Sequence, residues 1–141
     1  MRAGRGDAAA TGAAMRSAGA VSSAEDADER ADMCRRLIAE RRLIGAQLGF
    51  DFCPSPTWDI LLDLYLARCE RRRTYVWSLC MAAHVPTTSA HRKIAELVRQ
   101  GWLARGADSD DGRRISVALT DEALARLDAL FDRMVQQAST R

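Results

Sequence analysis

The residues with the greatest chemical capacity lie between Pro86 and Thr120, in PTTSAHRKIAELVRQGWLARGADSDDGRRISVALT. Ala90, Ile94, Leu97 and Val98 fall within one arc of a 3.6-residue wheel, which predicts a helix with those four side chains facing inward. Thr88, Ser89, Arg92, Glu96 and Arg99 fall on the opposite arc, with His91, Lys93 and Ala95 at its flanks. Thr, Ser, His, Arg and Lys side chains reach base edges or phosphate oxygens, and the amides of a helix N-terminus add a phosphate site. Gly101 stands where a C′ glycine would end the helix. Trp102-Leu103-Ala104 and Ile115-Ser116-Val117-Ala118-Leu119 then read as two strands, joined by ADSDDGRR with Gly112 at the turn. An ordinary amphipathic helix with a solvated polar face would share the helical pattern. The short helix and turn before it, and the charged hairpin after it, favour a unit that offers one helix to a major groove and a hairpin to backbone or minor groove.

The elements that must position this unit are legible in outline. Residues 1–24 are dominated by Ala, Gly, Ser and Arg, and their composition predicts a disordered leader, with Met15 an alternative start. From about residue 24 the pattern turns helical, with acids in the first turns and apolar residues at Met33, Leu37, Ile38, Ile44 and Leu48. Arg35, Arg36, Arg41 and Arg42 are expected on its solvated face, and Gly49 closes it. Ser55-Pro56 predicts the start of a second helix, with Ser55 as N-cap and Pro56 at the first helical position. Its stripe of Trp58, Leu61, Leu62, Tyr65, Leu66 and Cys69 marks it as the central core helix, and Arg71-Arg72-Arg73 ends it with cations. Thr74-Tyr75-Val76 reads as a short strand joining the wing sheet. Leu79, Met81, Ala82 and Val85 are the apolar positions of the short helix before Pro86, spaced like the first helix of a helix-turn-helix. Thr120 caps a last helix whose seam is Leu124, Leu127, Leu130, Phe131, Met134 and Val135.

Charge distribution says more than net charge, which is +2. Residues 71–114 carry nine basic and four acidic side chains, a net of +5, whereas residues 25–70 carry ten acids and six bases, a net of −4. A basic middle within an acidic body suits local attraction to phosphate. In 141 residues there is room for one domain with a real core. No apolar run approaches the roughly 20 residues that cross a bilayer, and no apolar segment follows the N-terminal arginines as in a secretory signal. The expected compartment is the cytoplasm.

Other chemistries find little support. Cys34, Cys53, Cys69 and Cys80 form no CxxC pair and no metal-ligand spacing. Cys34 and Cys80 read as small core residues, and Cys53, in the loop FDFCPSP, as the most exposed thiol. Cys80 and His84 stand at i, i+4, a spacing that serves core and turn packing far more often than a metal. Neither His84 nor His91 belongs to a nucleophile or zinc pattern, and no glycine-rich phosphate loop is present. The residues therefore predict no enzyme, no cofactor and no metal site.

From Trp58 to Thr120 the sequence resembles the MarR family, the multiple-antibiotic-resistance-type winged-helix regulators. The resemblance rests on Arg92 within TTSAHRKIAELVRQGWL, the helix end Leu97 to Gly101, and the wing DSDDGRRISVALT with its D-x-R signature and closing Leu-Thr. It covers about half the chain by motif. It implies a mainly α fold with a small β hairpin: a winged helix-turn-helix core over about 57–120, flanked by dimerisation helices over about 25–50 and 121–138, in one domain from 25 to 141. It further implies a homodimer that regulates transcription, as a repressor, on duplex DNA, and a small-molecule effector or cysteine oxidation as the releasing signal. Together with the residue reading, this assigns Thr87, Thr88, Ser89, His91, Arg92 and Lys93 of a recognition helix over 87–100 to DNA. Arg105, Arg113 and Arg114 of a wing over 104–118 join them, with Asp111 bracing the wing. Two alternatives stay open: a winged-helix module for protein–protein assembly, and a thiol- or metal-responsive sensor switched by Cys53 or the Cys80/His84 pair.

Overall fold

The computed structural model describes residues 4–52, 55–107 and 114–140, with side chains from residue 24 onward. Helix α1 spans Gly4–Leu48 and is followed by a 3-10 turn, Phe50–Phe52. Helix α2 is Pro56–Cys69, strand β1 is Thr74–Tyr75, and helices α3 and α4 are Val76–Ala82 and Thr87–Arg99. Strands β2 (Leu103–Ala107) and β3 (Ile115–Leu119) form the hairpin, and helix α5 is Asp121–Ser139. The antiparallel sheet has the order β1-β3-β2, with Thr74 opposite Val117 and Val117 opposite Arg105. This is the mainly helical arrangement that the sequence predicts, down to the short strand that β1 adds to the wing. Among the described residues no helix is long and apolar enough to cross a membrane.

Helix α2 is central because its apolar stripe is wide enough to serve two cores. One side of it, Ile60, Leu61 and Leu64, packs with Leu79, Ala90, Ile94, Leu97, Leu103 and Val117 of the helix-turn-helix and sheet. The other side, Leu62 and Tyr65, packs with Cys34 of α1 and with Leu127 and Phe131 of α5. Each large side chain so buried stabilises the fold by roughly 1.5–3 kcal/mol. The Tyr65 ring lies 4.5 Å from that of Phe131, and its hydroxyl donates to Asp128 at 2.6 Å. Arg30 of α1 donates to Asp132 at 2.7 Å and lies 3.8 Å from Asp128. Helix α2 thus holds the helix-turn-helix on one side and the α1–α5 pair on the other.

Several local expectations are corrected. The helical backbone of α1 begins at Gly4, across residues whose composition predicts a disordered leader. Alanine is the best helix former, and a helix already nucleated by its packed part propagates into such a run. Arg41 is 8% exposed and pairs with Asp59 in the first turn of α2, so it leaves the solvated face expected of it. Ser55 does not cap α2 with its side chain: its backbone is turned to φ +24, outside the extended region a cap needs. Its carbonyl instead accepts from Arg41 Nη2 at 3.3 Å. Among the apolar positions of α3, Leu79 is buried with Val76 and Cys80, while Met81 is 64% exposed. In α5 the buried positions are Ala123, Leu127 and Phe131, while Leu130 stays exposed at the edge of the seam.

Candidate nucleic-acid interface

Helix α4 is fixed by its inner face. Ala90 and Ile94 are fully buried and Leu97 nearly so, which sets the rotation of every other side chain on the helix. Thr87, Thr88, His91 and Arg92 are exposed, while Ser89 and Lys93 are half-buried. Thr88 and Arg92, at i and i+4, lie side by side on the outward face. Pro86 precedes the helix and offers no side-chain cap, so the amides of the first turn are left for an external acceptor. The one carboxylate on the outward arc, Glu96, is taken up by Arg99 and by the Gln100 amide at 2.9 Å. The basic and hydroxyl groups at the N-terminal half of α4 therefore face outward without a local acid among them.

The turn before α4 is held from outside the helix-turn-helix. His84 adopts φ +54 and stacks on Phe50, with ring centroids 4.0 Å apart and planes 11° from parallel. Phe50 in turn lies against Gly45 of α1, where any Cβ would overlap its ring. A cleft of about 260 Å3 opens here, lined in part by Ile38, Arg41, Phe50, Asp59, Met81 and His84. Cys80 is buried in the core and His84 is exposed on the turn, so the i, i+4 pair does not converge. Among the described residues no group of three His, Cys, Asp or Glu is placed to hold a metal.

The wing continues directly from α4. Gly101, at φ +81, closes the helix, Trp102 N–H bonds to Leu97 O at 2.9 Å, and β2 begins one residue later. Arg105 is exposed on β2 and Arg114 just before β3, where its guanidinium lies 5.5 Å from the Tyr75 ring centroid. This contact of Arg114 with Tyr75 is not among the sequence expectations, although an aromatic residue in a strand beside a basic hairpin is the signal that points to it. The root of the wing is tied to α5: Arg126 sits 4.9 Å over the Trp102 ring, and Thr120 donates to Gly101 O at 2.7 Å. Arg113 and the bracing Asp111, like Cys53, lie outside the described residues.

Thiol chemistry is suppressed where it can be seen. Cys34 donates to Leu62 O at 3.3 Å, and its burial pushes its pKa up to about 12. Burial likewise raises Cys69 and Cys80. A thiol kept protonated is a poor nucleophile and a poor metal ligand.

No family model matches this chain, and no curated protein matches it. Solved structures do match. Staphylococcus aureus MepR in its DNA-binding conformation superposes with a TM-score of 0.50 at 19% identity, over 74% of this chain and 79% of that one. MepR bound to ethidium bromide gives 0.50 at 19% identity, over 75% and 77%. A point mutant of Lactococcus lactis ZitR gives 0.47 at 15% identity over 61% of this chain, which spans 56% of the ZitR chain. The likeness to MepR shows the fold: a winged helix-turn-helix with flanking helices.

Proposed function

We propose that this chain is a MarR-type DNA-binding transcriptional regulator, with α4 as its recognition helix. The observation that carries the reading is the outward face of α4. Thr87, Thr88, His91 and Arg92 are exposed there beside Ser89 and Lys93, on a helix whose rotation is locked by Ala90, Ile94 and Leu97. Arg92 has the reach and the planar fork to read a guanine edge, and Thr88 and Ser89 are suited to adjacent bases or phosphates. Lys93 and His91 supply backbone contacts. Arg105, Arg113 and Arg114 follow the backbone or enter the minor groove, and Asp111 braces the hairpin tip. The functional unit is a homodimer on a pseudo-palindromic operator, acting as a repressor and released by a small-molecule effector. MepR, solved in a DNA-binding conformation and also bound to ethidium bromide, supports that pairing of partners by its fold alone.

The test is duplex binding as a function of salt. Selection of bound fragments from genomic DNA supplies the site, and log affinity for it should fall linearly with log salt concentration. Arg92→Ala should cost about 1–3 kcal/mol on that site and relax specificity at one base pair, whereas Arg105→Ala should weaken all sequences alike. Light scattering should return twice the chain mass. Negligible duplex affinity at low salt would replace this reading with the assembly module, in which the same face docks an acidic protein.

A further inference from the structure

Away from α4, arginines gather a second time. Two adjoining troughs of about 500 and 460 Å3 run between the C-terminal end of α2 and the sheet. Arg71, Arg72 and Thr74 line both, Arg68 lines the first, and Arg73 and Arg105 line the second. Among the described residues, no carboxylate and no part of α4 lines either trough. Glu70 stands beside them and accepts from Arg72 at 3.3 Å.

One further observation points to a ligand. Arg71 occupies the left-handed position that closes α2, at φ +56, where α4 uses Gly101. Glycine is the residue of least strain there, so an arginine at this position costs stability, and its side chain lines both troughs.

We infer that the two troughs form a binding site for a small polyanion carrying at least two phosphoryl groups. Guanidinium forks match phosphate oxygens bidentately, and Arg68, Arg71 and Arg105, together with Arg72, which Glu70 also holds, and Arg73, exceed what a single carboxylate ligand would need. The volume suits a small molecule. A duplex lies across a surface, whereas these arginines line a recess between a helix end and a sheet.

Inorganic pyrophosphate, titrated into the whole chain against orthophosphate at matched ionic strength, tests the site by calorimetry and thermal melting. Pyrophosphate should bind at least tenfold tighter than orthophosphate and raise the melting temperature. Without ligand, Arg71→Gly should melt slightly higher than the parent, yet lose tenfold or more of the pyrophosphate affinity. Arg105→Ala should also lose affinity, while Arg92→Ala, which disables the proposed DNA contact, should leave it intact. Equal binding of the two anions, or pyrophosphate binding that survives both Arg71→Gly and Arg105→Ala, would overturn the inference. So would weakened duplex binding by these two variants with no pyrophosphate effect, since the arginines would then be DNA-phosphate contacts.

Discussion

Helices α2 and α4 end in the same hydrogen-bonded turn built from different residues. In α4, Trp102 N–H bonds to Leu97 O at 2.9 Å and Gly101 N–H to Val98 O at 3.1 Å, with Gly101 at φ +81. In α2, Arg72 N–H bonds to Ala67 O at 2.8 Å and Arg71 N–H to Arg68 O at 3.3 Å, with Arg71 at φ +56. Both are Schellman closures, and a side chain in the left-handed position costs roughly 1–2 kcal/mol. The two ends serve different purposes. The α4 end must deliver the chain straight into the wing, and glycine does that at no steric cost. The α2 end presents cations to a recess, and it tolerates strain to do so.

The largest expected effect breaks the symmetry between the two helices through pH. Cys34 beneath α2, and Tyr65 and Cys69 on it, are all raised by burial. Cys34 in the unfolded chain ionises near its ordinary 9.0, but in the fold only near 12. Between those values the folded state holds the extra proton. Its contribution is complete below pH 9 and is lost as pH rises toward 12, by the order of a few kcal/mol. Urea unfolding at pH 7, 9, 10 and 11 should show that decline, and Cys34→Ala should make it shallower, leaving the part due to Tyr65, Cys69 and Cys80. An unchanged slope in the variant would assign the decline to other groups.

Next in size is the tie that only the α4 end possesses. Thr120 donates to Gly101 O at 2.7 Å and accepts from Ala123 N at 3.2 Å, joining the end of α4 to the start of α5. Thr120→Ala should cost about 1–2 kcal/mol in urea unfolding, at the upper end for a cap because two bonds are lost together. A loss near 0.5 kcal/mol would reduce Thr120 to a cap of α5 alone.

The same contrast explains what could be read from the sequence. Gly101 and Thr120 each act locally, through a backbone angle and a cap three residues away, so the end of α4, the hairpin and the start of α5 were legible. The inner arc Ala90, Ile94 and Leu97 was legible because burial repeats with the helical period. Ser55 holds the N-cap position before Pro56 as the pattern predicts, but at φ +24 its side chain makes no cap bond, and its carbonyl accepts from Arg41, fourteen residues earlier, a pairing no local pattern carries. Arg41 itself was misread for the same reason, since its partner Asp59 sits on another helix. The charge of +5 over residues 71–114 read as one patch. The fold divides it into an α4 and wing group and the α2-end group, because pairing β2 through β3 to β1 brings Arg105 to Arg71, Arg72 and Arg73. The wing tip, including Asp111 and Arg113, lies outside the described residues and stays an expectation from the resemblance.

The smallest effects come from exchanging the two residues in the strained position. At Gly101 an added Cβ would meet no atom within 4 Å, so substitution there is a matter of backbone angle alone. Its φ of +81 lies beyond the +50 to +70° that left-handed L-residues favour, whereas the +56 of Arg71 lies near the centre of that range. Gly101→Ala should therefore cost about 1 kcal/mol. The reverse exchange, Arg71→Gly, relieves the left-handed cost but adds the backbone freedom of an unfolded glycine, worth roughly 0.5–1 kcal/mol. The net gain should be about 0.5–1 kcal/mol, smaller than the loss at Gly101 and opposite in sign. Urea unfolding of both variants at pH 7, below the Cys34 window, measures the pair. If Arg71→Gly destabilises instead, the Arg71 side chain contributes packing to the end of α2, and the two closures differ in energetics as well as in purpose.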